Sequence, residues 1–241
     1  MVNLREHEWC WRSQHGEDGV VEKIFETIPP KYKTFIEIGA HFHEANALKL
    51  SQHMQWKGMF FDDFHHFPPL GFYKAWITVD NINQILRDSN VPLDFDLFSL
   101  DIDGNDFYVM SAIEPQWRPR VIIVESNLCF GIDFDAVIEY DAQFRWDGTI
   151  YQGATPLAWF NLLRSRNYSL VYVEKSGVNM FFMDDQLSPE QHFINVNDMT
   201  ALYESVMDTY EPHAPDPLER PWYSSEQATV ILKQYFTTTN K

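Results

Sequence analysis

Seven short apolar runs punctuate the chain, and helix-like segments fill most of the gaps between them. The runs are "TFIEIGA" (34–40), "GMFFDDF" (58–64), "KAWITV" (74–79), "DLFSLDI" (96–102), "RVIIVES" (120–126), "SLVYVE" (169–174) and "NMFFMD" (179–184). Most are continuously apolar rather than alternating, as strands buried on both faces of a parallel sheet must be. Between them, "GEDGVVEKIFETI" carries Val20, Val21, Ile24, Phe25 and Ile28 on one stripe of a helix. Ser13 is placed to cap that helix, and Glu17 and Asp18 suit its positive end. "EANALKLSQHMQW", "DNINQILRDS", "NDFYVMSAIEPQW" and "ATPLAWFNLLRSR" read as further helices.

Two gaps limit the topology. "HHFPPLGFY", after the second run, holds two prolines and has room for no more than one turn of helix. The last two runs are separated only by "KSGV". A parallel crossover needs a dozen or more residues, so these two strands must form an antiparallel hairpin. The expectation is an α/β fold: a seven-stranded, mostly parallel sheet with an antiparallel last strand and helices on both faces. This three-layer sandwich resembles the Rossmann-like sheet of class I methyltransferases. A dinucleotide-binding Rossmann sheet lacks the terminal hairpin. Beyond about residue 186 the pattern changes: "SPEQHFINVNDMTALYESVMDTY" looks helical, "EPHAPDPLERP" reads as a linker, and "SSEQATVILKQYF" as a closing helix with a Ser224–Gln227 capping box. We therefore expect a methyltransferase-type domain over 1–185 and a C-terminal helical extension over 186–241. The extension would pack on the domain or serve as a homo-oligomer contact.

Charge narrows the partners. The chain of 241 residues carries a net charge of −17, which disfavours nucleic acid and anionic membrane surfaces because phosphate binding needs clustered Lys and Arg. The two cysteines, Cys10 and Cys129, form no C-x-x-C pattern, so neither a zinc site nor a disulfide framework is implied. The charged N-terminal stretch does not read as a signal peptide, and no apolar run approaches the roughly 20 residues that span a bilayer. A cytoplasmic location is the expectation.

The chemistry gathers at the ends of the runs. "IEIGAHFHEAN" places Gly39 where a strand turns into a helix, the position at which α/β proteins bring backbone close to a nucleotide. One glycine is not a G-x-G-x-x-G pattern. "FFDDF" puts Asp62, and second Asp63, where an acid commonly accepts from ribose hydroxyls. "LDIDGND" looks like a calcium loop but fails the count. From Asp101, position 6 is Asp106 where an EF-hand needs Gly, and position 12 is Ala112 where it needs Glu. In an extended chain Asp101 and Asp103 point the same way, as do Glu125 and Asn127 on the next tip. Those four could hold Mg²⁺ or Mn²⁺. Alternatively the site is metal-free and one carboxylate, Asp103 or Asp101, is the general base. Asn105 or Asp106 can cap the following helix. Among nine histidines, His41 lies nearest the Gly39 turn and is the backup base; His15, His43, His65 and His66 are further loop candidates.

"SQHGEDG", "FIEIGA", "GMFFDDF", "FDLFSLDIDGNDFYV", "RPRVIIVESN", "YQGAT" and "GVNMFFM" together resemble the FkbM family of S-adenosylmethionine (SAM) methyltransferases, over about residues 12 to 185. The resemblance implies SAM as cofactor and O-methylation, often of sugars or polyketide-like hydroxyls. It implies that Glu37, Gly39 and Ala40 line the methionine end of SAM, that Asp62 holds the ribose, that Thr78 meets the adenine, and that Asp101 lies beside the cofactor. Catechol-type O-methyltransferases, by analogy, also place magnesium ligands at the fourth and fifth strand tips. The chain departs from these relatives in having "HFHEAN", with no second glycine, after "GA", and "HHFPP" in place of a full helix after "FFDD". The leading expectation is an O-methyltransferase acting on a hydroxyl of a sugar or glycoconjugate, with a small-molecule or glycan acceptor. A nicotinamide (NAD)-dependent oxidoreductase is the enzymatic alternative, and a degenerate methyltransferase fold serving as a binding module is the other.

Overall fold

The computed structural model describes residues 1–204, 206 and 210–239. Its centre is a seven-stranded sheet built from β1 (Thr34–Ile38), β2 (Lys57–Asp62), β3 (Phe72–Lys74), β4 (Leu97–Leu100), β5 (Val121–Glu125), β7 (Tyr168–Val173) and β8 (Asn179–Asp184). The order across the sheet is β3-β2-β1-β4-β5-β8-β7. Only β8 runs antiparallel, to both β5 and β7. Every residue of β4, β7 and β8 is buried, which is why these runs show no polar alternation. A two-residue strand, β6 (Val137–Ile138), pairs separately with β9 (Trp222–Tyr223).

Two helical layers cover the sheet. α1 (Glu17–Thr27) and α2 (Leu48–His53) are joined by a Glu22–Lys49 ion pair at 2.6 Å. α3 (Ile82–Asp88) contacts α4 (Asp106–Ala112), and α7 (Ser225–Thr239) contacts both α4 and α5 (Pro156–Ser165). The chain steps outward from β1 to β3, then returns past β1 to β4 and β5. The right-handed crossover rule puts α2 on one face and α3 and α4 on the other. No helix among the described residues is long and apolar enough to cross a membrane.

Several local expectations change. The third strand spans 72–74 rather than 74–79, because Asn81 takes the backbone groups a neighbouring strand would need. Its amide donates to the Trp76 carbonyl at 2.7 Å and accepts from Thr78 N–H at 2.8 Å. The gap before it holds one 3₁₀ turn, Pro68–Leu70, closed by Gly71 in the left-handed region. Residues 188–210 are not one helix: a turn at Pro189–Gln191 precedes α6 (Met199–Tyr203), and 205 and 207–209 lie outside the described residues. Gly16 rather than Ser13 is the first cap of α1, although Ser13 Oγ still accepts from Asp18 N–H at 3.0 Å. The Ser224–Gln227 box forms reciprocally, at 2.9 and 3.2 Å. From the extension, Phe193, Leu202, Tyr203, Ala228 and Leu232 join the same apolar core as the sheet.

Candidate functional site

A cleft of about 630 Å³ opens at the carboxyl ends of β1, β2 and β4. The strand order reverses between β1 and β4, and that reversal is where open α/β sheets place ligands. Its size falls within the roughly 300–1,000 Å³ usual for small-molecule sites. Gly39, at φ +89°, forms the floor beside β4; a Cβ there would overlap the Asp101 carbonyl oxygen. Only glycine therefore lets β1 end so close to β4.

Around that floor the expected residues divide. Gly39, His41, Asp62, Asp101 and Asp103 all line the cleft. Three of the expected cofactor residues do not. Glu37 is buried under the α2 approach, where its carboxylate accepts Asn46 and Ala47 N–H groups, both at 2.7 Å. It anchors that loop to β1, and burial raises its pKa to about 7 against those two lowering hydrogen bonds. Ala40 is sealed in the core and donates its N–H to Phe61 O at 3.1 Å. Thr78 gives its backbone N–H to Asn81 and does not line the cleft, and Ala75, Trp76 and Ile77 provide the wall in its place. Asp62 lies at the cleft with its oxygens engaged: Oδ1 accepts from Phe64 N–H, and Oδ2 is 2.5 Å from His65 Nδ1.

At the neighbouring tips, Asp101, Asp103 and Glu125 converge, each offering an oxygen within 4.8 Å of the other two. Burial, and then the charges of Asp103 and Asp106, raise Asp101 well above the carboxylate range. Burial and the charge of Asp101 do the same to Glu125. Asp103 is the solvent-facing member, and partial desolvation raises it too. Like charges this close are stable only with a shared proton or a cation. The oxygen-only donor set fits a hard divalent ion such as Mg²⁺ or Mn²⁺.

Asn127 does not belong to this group. Its amide donates to Ile150 O at 2.7 Å and Gln152 O at 2.9 Å, and accepts from Cys129 N–H at 3.1 Å. The expectation assumes that β5 stays extended through 127, whereas the strand ends at Glu125 and Asn127 caps a 3₁₀ turn. Neither Asn105 nor Asp106 caps α4 through its side chain. Asn105 donates to Asp141 O at 2.6 Å, while Asp106 accepts from Ile102 and Gly104 N–H and so shapes the loop that carries Asp103. Asp103 sits at φ +58°, a left-handed conformation that this loop holds.

The far wall is not among the expected elements. Phe144, Arg145 and Trp146 come from the long connection between β5 and α5 and close over the cleft. Phe144 packs on Gly104, where a Cβ would collide with its ring. Arg145 lies 4.5 Å from the Trp76 ring centroid and pairs with Asp63 at 2.8 Å. His213, from the proline-rich stretch, stacks edge-on with Trp146 at 4.8 Å. The signal in the sequence is length: an unassigned connection of this size in a compact domain is usually a binding element. Of the other histidines, His65 lines the cleft and packs edge-on against His41 at 4.8 Å, whereas His15 is on the surface beside α1.

No protein-family model matches the chain, and no curated protein matches it in sequence.

Proposed function

We propose that the protein is a SAM-dependent O-methyltransferase of the class I type, acting on a hydroxyl of a sugar or glycoconjugate. One observation carries this reading. A ligand-sized cleft sits at the β1/β4 reversal, in a sheet whose only antiparallel strand is inserted between β5 and β7. Gly39 on its floor and Asp62 beside it supply the close backbone and the acid that an adenosyl group requires. Asp62 would exchange His65 and its own loop N–H groups for the ribose. Trp76 and Ile77 would flank the base, in the role expected of Thr78.

When bound, SAM supplies a sulfonium methyl that passes to the acceptor oxygen as the carbon–sulfur bond breaks, leaving S-adenosylhomocysteine and a methyl ether. The residues of this chain then have two tasks. Gly39, Trp76 and the Phe144–Trp146 wall orient the two reactants and exclude water. Asp103, the open member of the acidic group, takes the hydroxyl proton, with His41 as the alternative base. Asp101, Asp103 and Glu125 would hold a divalent cation, which would supply Lewis-acid charge stabilisation beside the acceptor hydroxyl.

Thermal unfolding with SAM, S-adenosylhomocysteine or NAD tests the cofactor. The expected result is a rise in Tm with the first two only. A rise with NAD alone would favour a nicotinamide-dependent oxidoreductase, and no rise with any of them a binding module. Methyl-labelled SAM over a glycan panel then tests transfer. Loss of transfer in EDTA, restored by Mg²⁺ or Mn²⁺, would assign the cation. Full transfer in EDTA with an inactive Asp103→Ala would assign the carboxylate base.

A further inference from the structure

The far side of the cleft is built by two segments outside the seven-stranded sheet. Residues 141–151 form one, and the proline-rich stretch around His213 forms the other. The two are knitted together. Ile150 N–H donates to Ala214 O at 2.8 Å, and the Tyr151 hydroxyl donates to Pro221 O at 3.0 Å. Arg220 pairs with Asp147 at 2.7 Å and lies 4.2 Å from the Tyr151 ring centroid. The start of the segment is fixed as well: Trp76 Nε1–H donates to Ala142 O at 2.8 Å, and the Asn105 side chain donates to Asp141 O at 2.6 Å. Anchors at both ends hold the middle in place, and the middle is Phe144, Arg145 and Trp146.

These three residues differ in what they leave open. Phe144 packs on Gly104. Arg145 is engaged by Asp63 and by the Trp76 ring. Trp146 lines the cleft and is 37% exposed, so a ligand there reaches its ring. Its one polar atom is already satisfied, since Nε1–H donates to Thr149 O at 2.7 Å. What remains is an apolar ring held in a fixed plane. His213 braces it edge-on, at 4.8 Å. The same imidazole is within electrostatic reach of Asp103: burial raises that carboxyl, and His213 opposes the rise. A fixed aromatic ring and an open carboxylate therefore stand at one end of the cleft.

The chemistry of the lining selects the ligand. The face of an aromatic ring is negative and attracts C–H bonds that carry partial positive charge. One face of a pyranose presents such bonds, and its rim carries hydroxyls. Asp62, Asp63, Asp101 and Asp103 line the cleft, and Arg145 is the only Lys or Arg among the described lining residues. Ionised carboxylates accept hydrogen bonds and donate none, so this lining favours a ligand rich in O–H donors and repels an anionic one. A pyranose has a hydroxyl on most of its ring carbons, whereas a phenol has few.

We propose that Trp146, braced by His213, is the acceptor platform of this site, and that it takes a pyranose without an acidic group on its ring face, with one ring hydroxyl turned to Asp103. The reaction at that hydroxyl rests on the methyltransferase reading; the binding of the sugar does not.

Saturation-transfer NMR on the full chain tests the platform directly. The probes are methyl glucoside, methyl galactoside, methyl mannoside, the methyl glycoside of glucuronic acid, and catechol, each with and without S-adenosylhomocysteine. At least one neutral glycoside should bind saturably with a Kd below about 10 mM. The glucuronic acid glycoside and catechol should each bind about tenfold or more weaker. Trp146→Ala should weaken the neutral glycoside by about tenfold, and His213→Ala, at an exposed position, by about threefold. His213→Ala carries the test if Trp146→Ala does not fold. The proposal is overturned if no neutral glycoside binds in that range, if the acidic glycoside or catechol binds as tightly, or if the folded variants bind the glycoside unchanged. A glycoside that binds while neither SAM nor S-adenosylhomocysteine raises Tm would keep the platform and remove the methyltransferase reading.

Discussion

Two populations of acid occupy this protein, and their surroundings separate them. Asp18, Glu37, Asp96 and Asp106 act as fasteners, each wrapped by backbone N–H groups of a nearby loop. Asp96 also holds Arg120 at 2.9 Å. Asp101, Asp103 and Glu125 instead face one another. The residue type is the same, but a fastener lowers the energy of the chain around it, whereas the acidic trio stores repulsion until a proton or cation arrives. The contrast teaches that full burial among backbone donors marks a structural carboxylate, and partial exposure among other acids one poised for chemistry.

The largest test of that contrast is Asp96→Ala. It strands the Arg120 guanidinium and the N–H groups of Lys31, Tyr32 and Thr34, and should cost about 3–5 kcal/mol in urea unfolding. Asp103→Ala should cost less than about 1 kcal/mol, because it removes a repelling and solvent-facing charge. Equal losses for the two would collapse the distinction.

Next comes Glu37. Its pKa in the fold is about 7 against an ordinary 4.5, so between those values the folded state binds the proton more tightly than the unfolded state does. Its contribution is fully present below about pH 4.5 and is lost as pH rises through about 7, a change on the order of 3 kcal/mol. Glu37→Gln should flatten that part of the stability–pH curve. A variant curve parallel to wild type would remove Glu37 from the fasteners.

A smaller effect is expected from a cation. Mg²⁺ or Mn²⁺ at ten times its Kd should stabilise the wild type by about 1.4 kcal/mol. The double variant Asp101→Asn with Glu125→Gln should show no such gain, read as a Tm shift. The smallest effect belongs to Arg145→Ala. Its ion pair with Asp63 is exposed, so stability should change by no more than about 1 kcal/mol. Weaker acceptor binding without a matching loss of Tm would establish the cleft wall as functional.

Much of the architecture is legible in the amino-acid sequence. The continuous apolar runs mark buried strands, and "KSGV" forces the hairpin that makes β8 antiparallel. The Gly39 corner and the converging tips of β4 and β5 are legible too, because side-chain alternation and strand adjacency are local rules. Asn127 escapes those rules because nothing in "VESN" announces that β5 stops at Glu125. Glu37 and Ala40, placed at the cofactor only by what the family resemblance implies, both face away from the cleft, into the core.

The amino-acid sequence alone determined six of the seven strands of the main sheet, the antiparallel hairpin, and which acids stand at the strand ends, since periodicity and linker length act over a few residues. Only the tertiary structure decided which of those acids meet each other and which meet backbone N–H groups. It also brought Arg145 onto Trp76 and His213 onto Trp146. The physical reason is that hydrogen bonds and charge pairs between distant segments depend on where loops close, and loop closure is set by packing across the whole fold.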